Sequence, residues 1–155
     1  MNKEQLVNLV IIPTLKKIPK GYSTEAEMAI VMIIAHESLR GEYLKQMGNG
    51  PALGLINMEP DTHNCTWHNG DSIWDNALKM GIITQCDYVN KSHPKPERLN
   101  YDFMYNVFMA RQRLFMKKEK LPSTELEMAN YLKRHWNSIH GAATSNSYLN
   151  DYFSW

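Results

Sequence analysis

A carboxylate follows directly on the most apolar stretch of the chain. Met28 to Ala35 carries no polar side chain, and His36-Glu37-Ser38 comes next, followed by Arg40-Gly41. A glutamate at the end of an apolar helix sits half out of water. Desolvation disfavours its charged form and raises its pKa, which suits a general acid working near neutral pH. The plainer alternative is a helix-end glutamate paired with Arg40. His36-Glu37-x-x-Arg40 is not a zinc-protease helix, because the fourth residue after His36 would have to be histidine. His63-x-Cys65-x-x-His68, with Cys86 distant, is looser than the paired spacings of structural zinc sites, so no metal is expected. There is no phosphate-binding Gly-rich loop and no Gly-x-Ser-x-Gly elbow, and no cofactor is expected.

A second segment has to fold back over Glu37. Gly50-Pro51-Ala52-Leu53-Gly54-Leu55-Ile56-Asn57-Met58-Glu59-Pro60-Asp61-Thr62 reads as a loop that becomes a short helix, and its glycines let backbone approach a ligand. Glu37-Ser38, a gap, and then Gly54-Leu55-Ile56-Asn57-Met58-Glu59-Pro60-Asp61-Thr62 resembles the signature of the lytic transglycosylases, the peptidoglycan-cleaving relatives of lysozyme. That signature is Glu-Ser, a gap, then Gly-Leu-Met-Gln-x-x-Pro-x-Thr. The likeness covers residues 24–63 and is greatest to phage-encoded members. Ile56 stands where the family has Met, and Asn57 where it has Gln.

The resemblance implies a mainly helical, lysozyme-like single domain over residues 1–155. It implies cleavage of the MurNAc–GlcNAc β-1,4 bond with Glu37 as acid and then base. No second carboxylate is needed, because the substrate's N-acetyl group assists and the sugar's 6-hydroxyl attacks in place of water. Glu59, Asp61 and Asp71 are the candidates by position for the second carboxylate of a hydrolase. Ser38, Gly54, Leu55 and Asn57 are implied substrate-subsite residues. Tyr131, in Met128-Ala129-Asn130-Tyr131, resembles the family's late Ala-x-Tyr element, whose hydroxyl contacts the catalytic carboxyl. Trp136-Asn137 is a rival alignment for that element. Implied partners are peptidoglycan strands and phage tail or other virion proteins. The implied location is a phage virion, or host cytoplasm before release to the periplasm. The competing expectation is a virion assembly protein of the same fold with little catalysis, motivated by Asn57.

Composition sets the outer bounds. The 155 residues are enough for one domain with a real core, at 43% hydrophobic and 21% charged. A net charge of +1 gives no overall field favouring nucleic acid or membrane. Residues 91–120 carry eight Lys/Arg against three Asp/Glu, so a local basic patch or a solvated basic helix face is expected there. Two cysteines imply no disulfide framework. Leu6 to Ile12 is short and broken by Asn8, with no small-residue cleavage site, so neither a signal peptide nor a membrane span is expected.

The remaining elements must position Glu37. Residues 3–16 read as an amphipathic helix that Pro13 kinks or ends. Thr24 and Glu27 form a capping box that starts the Glu37 helix, buried on all sides. Pro60 to Trp67 follows as a helix, then one through Trp74 to Met80, capped by Asp71 or Ser72 and closed by Gly81. Ile82 to Asn90 reads as a strand pair or an irregular loop, and His93 to Pro96 as extended linker. Leu99 to Lys118 is a long helix with Arg111, Arg113, Lys117 and Lys118 outward. Thr124/Glu127 caps the next, with Leu126, Ala129, Leu132 and Trp136 inward. The aromatic tail from Ala142 packs as a last helix. Trp67, Trp74 and Tyr101 are candidates for sugar stacking or for the core.

Overall fold

Helix α3 (Thr24–Glu37) is the axis of the molecule, and its position follows from its composition. From Ala29 to Ala35 no residue is more than 4% exposed, so this helix has no solvent face along most of its length. The computed structural model describes residues 1–137 and 141–155. Among the described residues the chain is mainly helical, and β structure is confined to isolated bridges. No described helix is long and apolar enough to cross a membrane.

The N-terminal helix is longer than its proline suggests. It runs through α1 (Lys3–Leu6), a π turn (Val7–Ile11) and α2 (Ile12–Lys17). Pro13 has no N–H and its ring crowds the preceding turn. The π turn absorbs both problems: Ile12 N–H reaches back five residues to the Val7 carbonyl, and the helix continues. Helix α3 starts one residue earlier than the Thr24 box implies. Ser23 is its cap, its hydroxyl accepting from Ala26 N–H at 2.9 Å. Two adjacent hydroxyls made this boundary ambiguous, and the extended backbone of Ser23 decides it.

Helix α4 (Pro60–Asn69) begins at its proline, and α5 (Ile73–Lys79) follows. Residues 85–90 are neither strand nor irregular. They form α6 (Gln85–Asn90), started by a complete Thr84/Asp87 capping box. The segment expected as one long helix is two elements. A 3₁₀ turn (Pro96–Asn100) precedes α7 (Phe103–Phe115), which Asp102 caps by accepting from Tyr105 N–H at 2.9 Å. Arg111 is not outward: it is 8% exposed and its Nε donates to the Gly21 carbonyl at 2.8 Å. Helix α8 (Glu125–Leu132) is capped by Thr124 and runs into a π turn (Lys133–Asn137). Leu126, expected inward, is 57% exposed. The tail forms α9 (Ser145–Phe153), capped by Thr144. Helices α7, α8 and α9 pack around α3 and close the core.

Candidate functional site

The end of α3 is built to stop abruptly. Leu39, Arg40 and Gly41 are all left-handed, with φ of 47°, 63° and 76°. Arg40 N–H bonds back to the carbonyls of Ile34 and Ala35. Ser38, buried, donates to the Ile34 carbonyl at 3.1 Å and accepts from Gly41 N–H at 3.1 Å. Its hydroxyl is therefore committed to ending the helix. It acts on Glu37 only by fixing the backbone next to it.

The fold-back segment is a tight turn, not a short helix. Leu53 and Met58 exchange two backbone hydrogen bonds of 2.9 Å, closing a loop in which Gly54 (φ 80°) and Asn57 (φ 48°) are left-handed. Helical continuation is impossible through those two positions. Leu55 is fully buried and anchors the turn in the core. Gly54 is pressed against Leu99 and Asn106, and a Cβ there would lie 2.2 Å from Asn106 Oδ1. Gly54 and Leu55 thus seat the turn, and neither is among the residues that line the cleft at Glu37. Asparagine tolerates the left-handed region better than other non-glycine residues. In that conformation Asn57 lines the same cleft as Glu37, and its amide favours the ionised carboxyl.

The Glu37 carboxyl opens onto a cleft of about 630 Å³. Asn57, Met58, Glu59 and Thr62 line it from the turn and the start of α4. Arg113 and Lys117 face it from α7 and beyond, and Arg134, His135, Trp136 and Asn137 from the π turn. Burial pushes the Glu37 pKa above its ordinary value, opposed by a hydrogen bond from Tyr148, by the neighbouring His36 and by the Asn57 amide. Arg40 does not pair with Glu37. It turns to Asp151, at 3.8 Å, which also holds His36 Nδ1 at 2.6 Å.

The tyrosine on this carboxyl comes from α9. Tyr148 is fully buried, and its hydroxyl donates to Glu37 Oε1 at 2.8 Å. Tyr131, expected in that role, is corrected to a core position. Its hydroxyl points to the Glu119 carbonyl at 3.5 Å and its ring packs on His135. Of the rival pair, Trp136 and Asn137 do line the cleft. Trp67 is buried, packed edge-on to Trp74 at 4.8 Å, and Tyr101 is 73% exposed away from the cleft lining. Around the other sequence candidates, His63 Nε2 meets the Tyr105 hydroxyl at 2.6 Å, and Cys65 Sγ lies 3.9 Å from Arg113 Nη1. Among the described residues no three His, Cys, Asp or Glu groups converge as a metal site.

The arrangement is a single desolvated acid on a concave surface, with one hydroxyl and one amide ready to steady its ionised form. Tyr148→Phe removes one of those two donors and leaves the burial in place. The Glu37 pKa rises further in that variant, because the ionised form loses its hydrogen bond while desolvation still opposes it. A ¹³C NMR titration of the side-chain carboxyls reads this directly. A Glu37 titration unmoved in Tyr148→Phe would show that the hydroxyl does not act on the carboxyl.

Compared with protein-family models, with curated proteins and with solved structures, the chain has no match.

Proposed function

We propose that this protein is a peptidoglycan lytic transglycosylase of lysozyme-like architecture, with Glu37 as its one catalytic acid and base. The observation that carries the reading is the largely buried Glu37 carboxyl at the wall of a glycan-sized cleft, bonded by the Tyr148 hydroxyl and with Asn57 on the same wall. Protonated Glu37 gives its proton to the oxygen bridging MurNAc and GlcNAc. The C1–O bond breaks and the acetamido oxygen of the same sugar shares the positive charge at C1. Glu37, now ionised, is stabilised by the Tyr148 hydroxyl and the Asn57 amide. It takes the proton from the sugar's 6-hydroxyl as that oxygen attacks C1. A 1,6-anhydro ring forms, no water is consumed, and Glu37 is protonated again.

This cycle needs a group that is an acid in one step and a base in the next. A pKa moved up toward the working pH serves both steps, as it does for the glutamate of lysozyme. Glu59 lies on the same cleft and is exposed. Ser38, Gly54 and Leu55 keep the site's geometry, and Asn57 is the signature residue that faces substrate. On this reading the protein acts on the wall from a phage particle, or in the periplasm after release at lysis.

Mass spectrometry of muropeptides released from purified peptidoglycan tests the proposal. The expected products are anhydro-muropeptides, each lighter by one water than the hydrolytic product. Hydrolytic products would replace the transglycosylase by a lysozyme in which water attacks C1, with Glu59 on the cleft as the candidate second carboxylate. An unchanged wall would overturn enzymatic cleavage and favour a virion assembly role.

A further inference from the structure

Among the described residues, two cations on the cleft have no acid of their own. Arg113 sits near the end of α7 and Lys117 one turn later, and both line the Glu37 cleft while half-buried. The polar contacts of Arg113 Nη1 are to sulfur, Cys65 Sγ at 3.9 Å and Met116 Sδ at 3.8 Å. Among the described residues, neither Arg113 nor Lys117 has a carboxylate within ion-pair distance. Other arginines do: Arg134 holds Glu119 at 2.6 Å, Arg98 holds Asp102 at 2.9 Å, and Arg40 faces Asp151. Arg113 and Lys117 also repel each other, and Lys117 is held below its ordinary pKa by burial and by Arg113. Two like charges brought together on one wall repel, and half-burial adds a desolvation cost.

A bound anion would reverse both costs. We propose that Arg113 and Lys117 are a specificity-determining pair that takes a carboxylate carried by the glycan. That carboxylate is either the lactyl group of muramic acid or a carboxyl of the stem peptide attached to it. The guanidinium offers a planar fork that matches a carboxylate, and the ammonium adds a point charge beside it. A neutral chitin-like strand has nothing to offer the pair. This inference rests on the glycan-cleaving reading and names what that cleft selects.

The test measures binding, so that it does not depend on turnover. Glu37→Gln protein is titrated calorimetrically with three strands of equal length. One is a neutral chito-oligosaccharide. One is a peptide-free glycan with free lactyl carboxylates. The third carries intact stem peptides. Two partly exposed ion pairs at the upper end of their usual strength make the preferred anionic strand bind about thirtyfold tighter than the neutral one. The tighter of the two anionic strands identifies which carboxylate is taken. The preference shrinks as salt is raised. It falls toward one in Arg113→Gln/Lys117→Gln and persists in Arg113→Lys/Lys117→Arg. The salt series on the protein with both cations intact stands even if a double variant fails to fold. Equal affinity for neutral and anionic strands, or a preference that survives the double Gln change, overturns the pair's role. In either case the glycan-cleaving reading stands. Failure to bind any of the three strands overturns both.

Discussion

Glu37→Gln is expected to lose about a thousandfold or more of the proposed peptidoglycan-cleaving activity, in the range a positioned proton-transfer group supplies, while the protein becomes more stable at neutral pH. The second half follows from the sign of the pKa shift. Glu37 in the folded chain titrates above its unfolded value because burial opposes its charge. Between those two pKa values the native state binds more protons than the unfolded state. Stability therefore falls as pH rises through that window, and the cost is fully present above the folded pKa. Glutamine is neutral at every pH and keeps the shape and an amide for Tyr148. The two melting curves should converge below the unfolded pKa and separate above the folded one, with the variant higher. Thermal melts of both proteins from acid to neutral pH, beside muropeptide release, check the pair of effects. A variant that is inactive but less stable at neutral pH would mean that Glu37 is held ionised by its surroundings, and the general-acid role would fall.

Gly54→Ala is expected to lower stability by about 2–5 kcal/mol, combining left-handed strain with overpacking. The new methyl would meet Asn106 Oδ1 at 2.2 Å, the Leu99 carbonyl at 2.7 Å and Leu99 Cβ at 2.9 Å, on a backbone with φ of 80°. None of these can swing away cheaply. Asn106 Nδ2 is tied to the carbonyls of Leu99 and Asp102, both at 2.8 Å, at the head of α7. Gly48 is the internal comparison: its φ is 76°, but nothing lies within 4 Å of its would-be Cβ. Gly48→Ala should cost only the backbone strain, about 1–2 kcal/mol. Denaturant unfolding of the two variants separates strain from collision. Equal losses at both positions would show that the seat against Leu99 and Asn106 is soft.

The part of this site that is local in sequence could be read from it. Met28 to Ala35 announces a helix without a solvent face, and α3 is that helix. Glu37 is marked by its place after the apolar run and Asn57 by the resemblance, and both line one cleft. The tyrosine could not be found this way. It lies 111 residues from the carboxyl it bonds, and periodicity marks a helix without telling which of its tyrosines reaches where. Tyr131 had the better local pattern, Tyr148 the right tertiary position. Ile82 to Asn90 was missed because α6 buries no residue and so has no apolar rhythm, although its Thr84/Asp87 box was there to be read. The break at Asp102 was hidden by apolar residues on both sides of it. The basic character of residues 91–120 was visible, but its division was not. Arg111 became a buried donor, while Arg113 and Lys117 were left facing the cleft.

Helix α9 reaches α3 with two side chains three residues apart. Tyr148 bonds Glu37, and Asp151 bonds His36. Without α9 the end of α3 would lose both packing that helps to bury the carboxyl and the hydroxyl that bonds it. Its affinity for protons is thus tuned by a helix remote from it in sequence. A chain lacking that helix holds every atom of the acid without the surroundings that adjust it, so the acid and the completed shape arrive together.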